Sequence, residues 1–125
     1  MKDNREFKQR LIGRAYDYAL RVMKLVDKLP KDRSSFIISD QLIRSATSIG
    51  ANIIEAQSAS SRKDFANFLN HSLKSANESR FWLGLIRDSN KAPADEIGKL
   101  LKETDEFAKI LASSILTLRG NKLKL

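Results

Sequence analysis

Residues 47–56 read TSIGANIIEA. Placed on a helix, Ile49, Ile53 and Ala56 continue an apolar face begun by Leu42 and Ala46, with steps of three and four. The same ten residues also hold a glycine, an asparagine and a glutamate. Gly50 costs about 1 kcal/mol relative to alanine in a helix interior, and nothing offsets that cost unless another segment approaches closely. The expectation is a helix packed tightly on a neighbour at Gly50. Asn52 and Glu55 are three apart and share one flank, beside the seam. Near an apolar seam they need partners: Glu55 in the Ser58 to Ser61 turn or in Arg62, Asn52 in the serine-rich helix that follows. A polar network of Asn52, Glu55 and Arg62 would then set helix register.

The same period extends in both directions. From about residue 4 to residue 29, Leu11, Ala15, Tyr18, Val22, Leu25 and Leu29 form one stripe, and Ile12, Tyr16, Ala19, Met23 and Val26 form a second beside it. Pro30 ends that helix. The next is expected over 39–57, with Ser39 as N-cap and Asp40 in its first turn. Ser61 and Asp64 have the spacing of a capping box, which places a third helix over 62–89 along Phe65, Leu69, Ser72, Ala76, Ser79, Leu83 and Ile86. Pro93 opens a fourth over 93–118, carrying Ile97, Leu100, Leu101, Thr104, Phe107, Leu111, Ser114 and Leu118, and Gly120 is expected to stop it. A basic tail, 119–125, follows. Four amphipathic helices joined by short loops predict a single-domain, all-α, antiparallel up-down-up-down four-helix bundle.

The composition fits that architecture and narrows the functions. The chain has 125 residues, 42% of them hydrophobic and 30% charged, enough for one core. It contains no cysteine, which removes disulfides, thiolate chemistry and zinc ribbons. The charged start MKDNREFKQR lacks an apolar h-region, and no run is long enough to span a membrane, so a cytoplasmic location without membrane association is expected. The net charge of +8 is uneven: residues 1–33 carry ten basic and five acidic side chains, and residues 119–125 three basic and none acidic. An excess of that kind favours an anionic partner, with nucleic acid the commonest. Arg10, Arg14, Asp17, Arg21, Lys24 and Lys28 follow steps of four and three along the first helix, lining five cations on one stripe of about 27 Å. Those five cations are the candidate nucleic-acid-binding residues. No aromatic interleaves them, so base stacking is not the expected mode.

Catalytic readings find little. His71 is the only histidine, there is no E-x-x-H pair and no Gly-rich phosphate loop, so no metal site, cofactor or active site is expected. Helical ribonucleases of the HEPN class place an arginine five to seven residues before a histidine, and positions 64–66 here are Asp, Phe and Ala. The apolar residues outside the seams, including Phe68, Phe81 and Trp82, exceed what one bundle needs. They point to an oligomer interface, or alternatively to the docking of another protein.

The run Gln41-Leu42-Ile43-Arg44-Ser45-Ala46-Thr47-Ser48-Ile49-Gly50-Ala51-Asn52-Ile53-Ile54-Glu55-Ala56, followed by Arg62-Lys63-Asp64-Phe65, Phe68-Leu69 and Glu78, carries a resemblance. It resembles the bacterial four-helix-bundle proteins first noticed in intervening sequences of 23S ribosomal RNA genes. Two departures stand out: Ala56 takes the place of a frequent glycine, and QSASSR replaces a glycine-and-arginine turn. The resemblance implies a left-handed antiparallel bundle, assembly as a homopentamer and no catalytic activity. The chain is also similar to the accessory proteins of diversity-generating retroelements, which implies a basic surface for nucleic acid and a possible protein partner such as a reverse transcriptase. From residues and resemblance together, the expected function is weak, largely sequence-independent nucleic-acid binding by a non-enzymatic oligomer, with a protein-binding scaffold as the alternative.

Overall fold

The computed structural model describes residues 2–123, with side chains from 5 to 120. Four helices make up almost all of it: α1 (Lys2–Asp27), α2 (Arg33–Ala56), α3 (Arg62–Asp88) and α4 (Ala94–Leu123), with no strand among the described residues. The seam residues read from the period are the core. Ala15, Tyr18, Val22 and Leu25 from α1 meet Leu42, Ala46, Ile49 and Ile53 from α2, Ala76, Leu83 and Ile86 from α3, and Ile97, Leu100, Phe107 and Leu111 from α4, all buried.

Helix ends depart from the sequence expectation in α1, α2 and α4. The second helix starts at Arg33, not Ser39, because Asp32 caps it in extended conformation and its Oδ1 accepts the Ser35 N–H at 2.9 Å. Ser39 and Asp40 lie inside the helix. The first helix ends at Asp27, and Leu29 stays buried at the end of a tightened turn in which the Lys28 and Leu29 N–H groups bond to Leu25 and Val26. The fourth helix begins at Ala94 and runs through Gly120 to Leu123, since Gly120 has no positive φ and a lone helical glycine costs too little to end a helix. The last two residues of the expected tail, 124–125, lie outside the described residues.

Elsewhere the caps behave as the sequence chemistry requires. Ser61 accepts the Asp64 N–H at 3.0 Å, while Asp64 reaches back to the Ser60 N–H at 3.2 Å, one residue earlier than in a standard capping box. At the other end of α3, Asn90 adopts φ 58°. Its N–H bonds to the Arg87 carbonyl and that of Lys91 to the Ile86 carbonyl, a Schellman closure with asparagine in place of glycine.

That closure carries Lys91 onto the α2 cap, its Nζ 3.2 Å from Asp32 Oδ1. The Asp32 carboxyl is held down at about 2, from an ordinary 3.8, first by the adjacent Ser35, whose hydroxyl lies close without hydrogen-bond geometry and whose N–H it accepts, and then by Lys91. A carboxylate depressed in the folded state stabilises it above the unfolded value and loses that contribution as pH falls through about 2. Asp32→Asn keeps a capping side chain and removes the charge. It is expected to melt below the parent at neutral pH, with the two melting temperatures converging between about pH 4 and pH 2 as the parent's carboxyl protonates. Parallel melts across that range check it.

The helices differ in how closely they pair. The α2 and α3 surfaces meet along small residues, with Ser45 Oγ 2.8 Å from Ser79 Oγ and Ser72 Oγ donating to the Ile49 carbonyl at 2.8 Å. Between α1 and α2, a Cβ built on Gly50 would lie 3.1 Å from that of Ala15, the close approach the glycine predicts. Of the helix pairs that touch, α1 and α4 do so least. There Tyr18 hydrogen-bonds Thr104 at 2.6 Å and meets the Phe107 ring edge-on at 5.4 Å. The α1–α4 pairing leaves a furrow along the seam, and the basic stripe of α1 faces it.

Candidate nucleic-acid interface

The stripe on α1 is not uniformly positive once α4 is beside it. Arg14 is bound by α4: its Nε and Nη2 donate to Glu103 at 3.1 and 2.8 Å, and Nη2 also donates to Glu106 at 2.8 Å. The Glu103 hydrogen bond above all holds its charge in place. Arg14 is therefore a link between two helices and not a free phosphate ligand, a correction to its place among the binding residues. With Asp17 on the same stripe, the middle of the seam has more carboxylates than cations.

Beyond that point the sign changes. Arg21, Lys24 and Lys28 from α1 and Lys99 from α4 line a hollow of about 180 Å³ whose floor is Leu100 and whose one carboxylate is Glu96. Glu96 sits 3.6 Å from Lys28, with both side chains well exposed, so the pair is weak and screened. Four cations against one anion at a helix–helix furrow can meet adjacent phosphate oxygens from two sides. Lys99 was not among the residues singled out from the sequence, because residues 92–118 are net acidic and a segment sum hides which face each charge occupies. Its position three residues after Glu96 and directly before the seam residue Leu100 was the available signal. Arg10 is exposed at the other end of the stripe, beside Phe7 and Ile110.

The proposed polar network is not assembled. Asn52 is half-buried and donates to the Ser48 carbonyl of its own helix at 2.8 Å. Glu55 and Arg62 are exposed and share no hydrogen bond or ion pair, with each other or with Asn52, among the described residues. Short serine hydroxyls take that role at the α2–α3 seam, since helices this close leave no room for longer polar side chains. Of the α3 aromatics, Phe81 is 58% exposed, whereas Phe68 and Trp82 pack partly on the core. The second apolar stripe of α1 divides: Ile12 and Val26 pack partly on the core, whereas Tyr16 (69% exposed) and Met23 stay outside, joined there by Leu20. His71 is exposed and stands edge-on to Phe68.

The model of the 23S rRNA-intervening sequence protein family matches residues 8–113, which span all four helices. The chain belongs to that family. A solved member of the S23 ribosomal protein family from Bacteroides thetaiotaomicron VPI-5482, described as a protein with unknown function, is 38% identical over 83% of this chain and 96% of its own, with a TM-score of 0.78. No curated protein matches the chain. Within this member of the family, three residues of the run that carries the resemblance come together on the α2–α3 surface. Arg44 bonds to Gln41 at 2.9 Å and to Glu78, and Glu78 accepts the indole N–H of Trp82 at 2.9 Å. They tie α3 to α2 at the surface, beside a seam in which serines and alanines alternate with buried leucines and isoleucines. No helix among the described residues is long and apolar enough to cross a membrane.

Proposed function

We propose that this chain is a non-enzymatic, cytoplasmic four-helix bundle, left-handed and up-down-up-down, that assembles as a homopentamer and binds nucleic acid with little sequence preference. The observation that carries the reading is the furrow between α1 and α4, where Arg21, Lys24, Lys28 and Lys99 surround a single carboxylate. Cations on two rigid helices contact phosphates without reading base edges, so RNA and duplex DNA should compete on similar terms. Arg10 extends the contact along α1.

Assembly draws on the apolar surface that the single chain leaves open, Tyr16, Leu20 and Met23 on α1 and Phe81 on α3, together with the parts of Phe68 and Trp82 that the core does not cover. A closed ring would repeat the furrow around its axis and raise affinity by avidity. Sedimentation is expected to give about 70 kDa, five times 14.1 kDa. A 14 kDa species at tens of micromolar would contradict the pentamer and hand those aromatic surfaces to a different protein partner. Fluorescence anisotropy with labelled duplex RNA and DNA of mixed sequence tests the binding. Comparable affinities at low salt support it, and no binding of either overturns it.

A further inference from the structure

A second concave site lies at the opposite end of the α1–α4 seam from the furrow. There the beginnings of α1 and α3 and the ends of α2 and α4 surround an apolar hollow of about 260 Å³, lined mainly by Phe7, Leu11, Ile53, Leu69, Leu111 and Leu118. Ile53 and Leu111 are core residues, each 1% exposed, so the hollow opens directly onto the core. Two adjoining depressions share Leu118 with it; Lys8, itself a lining residue of the hollow, and Arg62 line one, and Arg62, Lys63 and Arg119 line the other. No carboxylate lines any of the three, and among the described residues none of these four cations makes an ion pair. The Lys8 ammonium stands 5.5 Å from the centre of the Phe65 ring at the mouth.

We propose that this hollow binds an amphipathic carboxylate of the medium-chain fatty-acid type, with its tail against the core leucines and its headgroup among Lys8, Arg62 and Arg119. A largely apolar interior whose neighbouring charges are all positive is complementary to an anion joined to a hydrocarbon, and to neither part alone. Scaling from the roughly 150 Å³ cavity that accepts a six-carbon ring, the space takes a chain of about ten carbons. The furrow used for nucleic acid differs in having a single leucine as its floor, so the two sites select different ligands and this one does not depend on that reading.

Calorimetric titration of the full chain with decanoate below its micelle-forming concentration, alongside decanol and acetate, tests the site. One decanoate per chain is expected, with acetate at least about a hundredfold weaker for want of a tail and decanol about tenfold weaker for want of a charge. The combined Lys8→Gln, Arg62→Gln, Arg119→Gln variant changes only surface charge. It is expected to lose about tenfold for decanoate while binding decanol as the parent does. Ser114→Phe fills the hollow from α4 and should abolish both, leaving the circular dichroism unchanged. The proposal is overturned by unsaturable decanoate binding, by equal affinity for decanoate and decanol, or by a charge-neutral variant that keeps full decanoate affinity. A change in sedimenting mass in Ser114→Phe would also overturn it, assigning the hollow to a second copy of the chain.

Discussion

Phe107→Ala is expected to lower the unfolding free energy by about 3–5 kcal/mol, read from the shift in denaturant midpoint. Phe107 is fully buried, its ring meets Tyr18 edge-on, and the Arg14 guanidinium lies 5.5 Å from its centre. It therefore anchors α4 to α1, a pair of helices with few other contacts. A cavity there removes contacts that no neighbouring layer replaces. The same loss should loosen the furrow, because Phe107 is part of the packing that holds α4, and with it Lys99, against α1. An unchanged midpoint would mean that the α1–α4 seam contributes little to the fold.

Gly50→Leu comes next in size. One added carbon at position 50 already stands 3.1 Å from the Ala15 Cβ, and a leucine must displace α1 or adopt a poor rotamer, at a cost of about 1–3 kcal/mol. Glu55→Ala serves as the contrast on the same helix. The side chain is exposed and unpaired among the described residues, so its removal should change stability by no more than about 0.5 kcal/mol. Thermal melts of the two variants beside the parent separate a glycine required by helix approach from a glutamate that the fold does not use. Equal melts for parent and Gly50→Leu would show that α1 can move away without loss.

Stripes of apolar residues made the core legible, because a helical period projects every seam residue onto one face whatever the loops do. Helix starts were less so. The first two turns of α2 present Phe36 and Ile37 to solvent, so the apolar pattern carries no signal there, and only the Asp32 to Ser35 hydrogen bond distinguishes the true cap from Ser39. Partnerships between helices were least legible. That Arg14 spends its charge on Glu103 and Glu106, and that Lys99 joins Arg21 and Lys24, depends on the relative register of α1 and α4, which no spacing within one helix encodes. Asn52 had a near partner in its own helix, the Ser48 carbonyl, and a local bond of that kind outcompetes a distant one at lower entropic cost.

Engagement of phosphates by the α1–α4 furrow is tested most directly by the salt dependence of binding. Anisotropy titrations of labelled duplex RNA across ionic strength should give a steep linear fall of log K with log salt. In the variant combining Arg21→Gln, Lys24→Gln, Lys28→Gln and Lys99→Gln, the slope should be shallower by up to about four units per subunit engaged. The additional change Arg14→Gln should leave that slope where it is, since Arg14 is already occupied by Glu103 and Glu106. Equal slopes for the parent and the four-residue variant, with the fold and sedimenting mass of both intact, would contradict the account and leave the furrow without a role in nucleic-acid binding.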